Sequence, residues 1–238
     1  MNFKPSPLET KLVELKKRAK YGQLSRIIKV ALTSVVSALL TFTVAGTLVE
    51  DTSMFTVSIL PETKEGAAKI SLSETADFAN PTTALDAGGL QNMTNISQYW
   101  LPSGLDSTDG VHSGENYIAY TFYIRNVGEV ACTLKEQIHI DSVVLGADAA
   151  IRVRMYRNGE PITYAKIGAN GLPEYGTTPF ESEDSVVTYE VPDFKPGETR
   201  KYTLVIWLEG DDPECLDNIK GGNVKMSMTF TVREEPQP

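Results

Sequence analysis

Few residues in this chain of 238 are of a type and spacing that could do chemistry. There are two histidines, His112 and His139, far apart in sequence. No HExxH is present, so the helix that holds zinc in many proteases is missing. Two histidines and a carboxylate would make a catalytic zinc trio, yet nothing in the spacing brings His112 and His139 together. No GxSxG and no Walker loop occur. Carboxylates bunch in two places: Glu209-Gly210-Asp211-Asp212-Pro213, and Glu181 with Glu183 and Asp184. Bunched carboxylate oxygens can hold a hard cation such as Ca²⁺. The spacing is not that of an EF-hand loop, so a solvated acidic turn is expected at both, the first also holding Cys215 in place. No catalytic residue, cofactor or metal is expected, calcium being the one cation these turns would suit. Cys132 and Cys215 form no CxxC, which argues against zinc or redox chemistry.

What could position such groups depends on the compartment. Val30 to Val49 is an uncharged run rich in Ala, Val, Leu and Thr, about long enough as a helix to match the apolar thickness of a bilayer. Lys11, Lys16, Lys17, Arg18, Lys20, Arg26 and Lys29 precede it, and Glu50 and Asp51 follow it. Basic residues keep their flank cytoplasmic, so everything after residue 50 is expected to be exported. Thr43-Val44-Ala45 or Val44-Ala45-Gly46 offers the small residues that a signal peptidase requires. The run then reads either as a cleaved signal peptide or as an uncleaved anchor that keeps the body at the cell surface. In an oxidising compartment the two cysteines suggest one disulfide. Closing so long a loop stabilises by roughly 4–5 kcal/mol in the chain-entropy model. Two free buried thiols are the alternative.

Charge divides the chain in the same way. The net charge of −9 is unevenly spread, because residues 1–29 are basic and the remainder is strongly acidic. An acidic exported body repels nucleic acid and anionic lipid, so nucleic acid is excluded as a partner.

After the apolar run, helical periodicity gives way to short β-branched and aromatic runs punctuated by turns. Strands are expected at Met54–Leu60, Ala68–Leu72, Asn116–Arg125, within Val130–Val144, at Ala150–Arg157, Val186–Val191, Arg200–Leu208 and Asn223–Val232. Asn158-Gly159 supplies two positive-φ positions, which predicts a type I′ hairpin over residues 151–166. Residues 74–114 and 167–185 read as loops. Tyr99 and Trp100 offer a means of docking Ile96–Leu101 onto the core, and Trp207 is expected to fill the space between two sheets. The chain is thus all-β: an antiparallel two-sheet sandwich, jelly-roll-like, preceded by one N-terminal hydrophobic helix. Its parts are a basic cytoplasmic segment (1–29), the signal or transmembrane helix (30–49), the exported β domain (50–232) and a disordered tail (233–238).

Val191 to Phe230 reads VPDFKPGETRKYTLVIWLEGDDPECLDNIKGGNVKMSMTF. It holds a Pro-Gly turn, a Tyr-containing strand, the block around Trp207, Glu209, Gly210, Asp211 and Asp212, then Gly221-Gly222 and an amphipathic strand. With Tyr117–Asn126 followed by Gly128, it resembles the camelysin and TasA biofilm-matrix group, proteins that Gram-positive bacteria export with a dedicated signal peptidase. The resemblance covers residues 115–232. It implies a jelly-roll-like fold and, for some members, fibres made by passing a strand between subunits. The long basic head and the 74–114 loop depart from the pattern.

Two functions follow as expectations. The first is a structural or adhesive protein of the cell surface or extracellular matrix, assembling by strand donation through an exposed sheet edge. Its partners would be its own copies or other matrix proteins, the membrane through the N-terminal helix, and a signal peptidase. The second is a membrane-anchored ligand-binding domain or metal-dependent hydrolase with its site in the 74–114 and 167–185 loops.

Overall fold

A computed structural model describes residues 54–60, 69–90 and 93–234. The expected basic segment, apolar helix and last four residues lie outside that range. Among the described residues no helix is long and apolar enough to cross a membrane.

Among the described residues twelve strands form two sheets. They are β1 (Phe55–Ile59), β2 (Ile70–Ser73), β3 (Ala84–Asp86), β4 (Gly110–Val111), β5 (Tyr117–Asn126) and β6 (Cys132–Val144). Then come β7 (Ile151–Arg157), β8 (Glu160–Ala165), β9 (Thr178–Pro179), β10 (Ser185–Phe194), β11 (Thr199–Leu208) and β12 (Asn223–Glu234). One sheet has the order β10-β6-β12-β1-β3. The other runs β2-β5-β11-β7-β8-β9, with β4 also on β5.

The expected strands all form, with bounds shifted by a few residues. Asn158 and Gly159 take φ of 50° and 91° and close the β7–β8 hairpin at Arg157 and Glu160, as a type I′ turn requires. Three short strands, β3, β4 and β9, are too brief to show a period of two and fall in segments that read as loop. Arg233 and Glu234, expected to belong to the tail, instead extend β12 and pair with Thr133 and Cys132.

The sheets are not purely antiparallel. β1 runs parallel to β12, with Phe55 opposite Met226 and Ile59 opposite Phe230, and β9 runs parallel to β8. Alternation along a strand shows which side chains share a face but is blind to the direction of a neighbour.

The two sheets share one core. Phe122 and Tyr202 of the second sheet pack against Phe230 of the first, with ring centroids 6.0 and 5.4 Å away. Phe122 and Tyr202 also stack on each other at 5.5 Å. Such aromatic pairs add about 0.5–1.5 kcal/mol each beyond area burial. Phe55 and Val57 of β1 are completely buried in this core.

Glu136 of β6 projects into the interior and pairs with Arg157 of β7, tying one sheet to the other. Burial raises the Glu136 carboxyl above its ordinary range, against the pull of Arg157 and the nearby Tyr202 hydroxyl.

Cys132 and Cys215 are not joined by a disulfide. Cys132 opens β6 opposite Glu234, whereas Cys215 lines a cavity together with Asn223 and Val224, which pair with Val144 and Val143 at the far end of β6. β6 has 13 residues, so at about 3.3 Å each its ends stand roughly 40 Å apart. A disulfide needs Cα atoms within about 7 Å. The expected bond is therefore corrected: strand length separates the two thiols.

Candidate binding cleft

Trp207 is fully buried, but not between the sheets as expected. β11 alternates, and Tyr202, Leu204 and Ile206 take the shared core. Val205 and Trp207 therefore point to the outer face, where they cluster with Ala119 and Leu105 beneath residues 96–105. Arg154 lies over the indole at 5.0 Å from the ring. A strand period of two gives two faces, and the sequence does not say which is covered by a loop.

The covering loop is held by Glu209. Its carboxylate accepts from Trp207 Nε1 at 3.0 Å, from the Gln98 amide at 3.1 Å and from the Asp211 amide at 3.2 Å. A parallel bridge joins Ile96 to Glu209, and the Gly210 amide donates to the Ile96 carbonyl at 2.9 Å. A Cβ on Gly210 would stand 3.4 Å from Asn95 Nδ2 and 3.5 Å from the Ile96 carbonyl carbon, ordinary contact distances. Ser97 donates to Asp211 Oδ2 at 2.6 Å and also caps the single turn Gln98–Trp100. Glu209 and Asp212 are both buried, which corrects the expectation of a solvated acidic turn. Of the turn's three carboxylates Asp211 alone is exposed.

The docking of this loop also differs from expectation. Ile96, Leu101 and Leu105 make the apolar contact. Tyr99 and Trp100 remain 77% and 76% exposed. The expected docking pair thus faces solvent.

Asp212 bonds to the buried Arg152 guanidinium and accepts from the Glu214 amide at 2.7 Å. Arg152 also lies 3.5 Å from Glu174. Glu174, Asp212 and Glu214 can bring carboxylate oxygens within 4.8 Å of one another. Burial, with the negative charge of Asp212, raises the Glu174 carboxyl above its usual range, opposed by Arg152. An oxygen triad is the type of set that hard cations use. Here Arg152 already offsets part of its charge.

The other expected groups lie elsewhere. Glu181, Glu183 and Asp184 do not join this cluster; Glu183 accepts from Lys166 at 2.6 Å and Asp184 from Ser182 at 2.6 Å. His112 has both ring nitrogens against carbonyl oxygens, of Gly110 at 2.8 Å and Leu105 at 2.7 Å. His139 sits on β6 beside Thr229. Gly221 and Gly222 end the block for backbone reasons. Gly221 has φ of 76°. A Cβ on Gly222 would stand 2.7 Å from the Val144 carbonyl oxygen and 2.8 Å from the Ala147 Cβ. Cys215 Sγ accepts from Asn95 Nδ2 at 3.2 Å, in the wall of a cavity of about 640 Å³.

What converges on the outer face is a smaller cleft of about 150 Å³. Gln98, Tyr99, Glu174, Tyr175 and Asp211 line it above the buried floor of Arg152, Glu209 and Asp212. Tyr175 is 90% exposed. Arg152, Glu174 and Tyr175 carried no motif in the sequence. Arg152 showed only as one of the polar positions alternating with Ile151 and Val153.

Comparison with known proteins adds little. No protein-family model and no curated protein matches the chain. Among solved structures, a β-glucosidase from Kluyveromyces marxianus in complex with glucose aligns with 79% of this chain and 18% of that chain. The identity is 11% and the TM-score 0.25. At that score the likeness carries no argument about fold or function.

Proposed function

We propose that this chain is an exported structural or adhesive protein of the cell surface or extracellular matrix, of the camelysin and TasA kind. Its two sheets are read as a jelly-roll-like sandwich that assembles by passing β1 between copies. The observation that carries this reading is the setting of β1. It is five residues long, lies between β12 and β3, and buries Phe55 and Val57 completely. β2, the next strand, belongs to the other sheet. All five residues of β1 pair with β12 and three of them with β3, and the slot the strand fills is the same in every copy. Donating an identical element between protomers is a low-cost route to assembly. The apolar run Val30–Val49 precedes β1 closely, so processing or anchoring there would bear directly on the donor strand.

Crosslinking tests the reading. Thr56 and Ser227 are paired neighbours on β1 and β12. Thr56→Cys with Ser227→Cys, in a Cys215→Ser background, should on oxidation of assembled material give a covalent ladder in denaturing gels. Dilute, unassembled protein should give an internal crosslink. Assembled material that yields only internal crosslinks, or a protein that stays monomeric at every concentration, would overturn the proposal.

A further inference from the structure

We infer that the cleft between Tyr99 and Tyr175 is a binding site for a neutral sugar ring of a polysaccharide. The site goes beyond the assembly described above and depends on none of its steps. Three observations converge on it.

The two tyrosines stand 77% and 90% exposed at the rim of one cavity. Trp100 is 76% exposed beside Tyr99. Large aromatic groups gathered on a surface mark an interaction site more often than scattered ones do. An aromatic face offers apolar area to the C–H groups of a pyranose while the phenol hydroxyl stays wet.

The rim is built in advance. Ser97 caps the turn that carries Tyr99, and the Gln98 amide is fixed on Glu209. Across the cleft, Thr177 returns its amide and its hydroxyl to the Glu174 carbonyl at 3.1 and 2.9 Å, so the chain turns tightly around Tyr175. Gly176, at φ of 72°, permits that turn. Fixing both platforms before binding removes ordering costs that a ligand would otherwise meet.

The polar chemistry between the platforms suits hydroxyl groups better than charge. Glu209 already accepts from Trp207 and two backbone amides, and Asp212 from Arg152 and the Glu214 amide. Arg152 already offsets part of the negative charge of Asp212 and Glu174. The Glu174 carboxyl, raised above its usual range by burial and the neighbouring Asp212, offers acceptor oxygens to a hydroxyl group. Gln98 Oε1 receives Arg154 Nη2 at 3.4 Å, and the Gln98 side-chain amide adds donors of its own. An anionic glycan would meet the acidic body of the chain. A cavity of 150 Å³ is ring-sized and open at the surface, as a subsite on a long chain requires.

The test uses the full-length protein in mild detergent, incubated with insoluble cellulose, β-1,3-glucan, chitin and mannan, and with pectate as an acidic control. Retention on at least one neutral polymer is expected, together with quenching or shift of tryptophan fluorescence through Trp100. Tyr99→Ala and Tyr175→Ala should each weaken retention about tenfold. Both side chains are exposed, so melting temperature and oligomeric state should not change. Gln98→Ala should weaken retention with the same unchanged melting. Absence of retention on every neutral polymer would overturn the inference. So would retention that survives the double tyrosine variant, or that polylysine competes away while soluble oligosaccharides do not. Strand exchange is read separately by the Thr56–Ser227 crosslink, so failure of one result leaves the other standing.

Discussion

Glu209 shows how a residue's role follows from its neighbours. Placed between a strand end and a loop, its carboxylate collects three N–H donors and fixes residues 96–98 over Trp207. Hydrogen bonds to a charged group contribute about 1.5–3 kcal/mol each when one partner is removed. Glu209→Ala is therefore expected to destabilise the fold by about 2–4 kcal/mol. Amides 96–105 should lose hydrogen-exchange protection more than β11 does, and tryptophan emission should shift red. Unchanged exchange over those residues would contradict the anchoring role. Glu136 is a second case, with the opposite electrostatic consequence. Its folded carboxyl is raised above 4.5 by burial, so the folded state holds the proton more tightly than the unfolded chain. Its contribution to stability is full below pH 4.5 and falls as pH rises through the folded value. Glu136→Gln should flatten that part of the stability-against-pH curve. Arg157→Met, which leaves the carboxylate uncompensated, should cost about 3–5 kcal/mol at neutral pH. Urea melts of the three proteins between pH 4 and 8 check both signs.

At the scale of elements, β1 is the strand with the largest consequence for its length. Phe55 and Val57 fill core positions beneath β12. Phe55→Ala is expected to cost about 3–5 kcal/mol. Deletion of residues 47–73, which removes Ile70 and Leu72 as well, should leave a body that does not assemble and is prone to aggregate. A deletion variant that still forms native-sized assemblies would exclude β1 as the donor. The β12 entrance is equally constrained. Gly222→Ala brings a methyl group against the Val144 carbonyl and Ala147. A loss of about 1–3 kcal/mol is expected from such overpacking, seen as a lower melting temperature, while Gly221 is restricted by its positive φ.

For the whole molecule, one core joins two sheets and a satellite cluster carries a covering loop on the outer face of one sheet. This arrangement holds the fold without a disulfide. Thiol titration under denaturing conditions should find two free thiols per chain, and a reducing agent should not move the melting temperature. A shift of several degrees with reductant would show a bond between Cys132 and Cys215 and a different strand arrangement from the one described. The proposed export is tested at the same scale. Intact mass and N-terminal sequence of protein from the native cell should show either a start near Thr47 or an intact Met1 in the membrane fraction, and recovery from the cytosol would contradict the proposal.

The sequence by itself determined the longer strands. Alternation at Asn223–Val232 and Ala150–Arg157, the Asn158-Gly159 turn and the Pro196-Gly197 turn are local patterns, and backbone sterics reads them one residue at a time. The tertiary structure alone decided which face of each strand lies in the shared core. That choice sent Trp207 outward, turned Glu209 from a solvated turn residue into a buried anchor, and left Tyr99 in solvent. It also decided that β1 runs parallel to β12, that the cysteines lie at opposite ends of β6, and that Arg152, Glu174 and Tyr175 meet. These are contacts between residues distant in sequence, set by how sheets and loops share buried surface, and no local period records them.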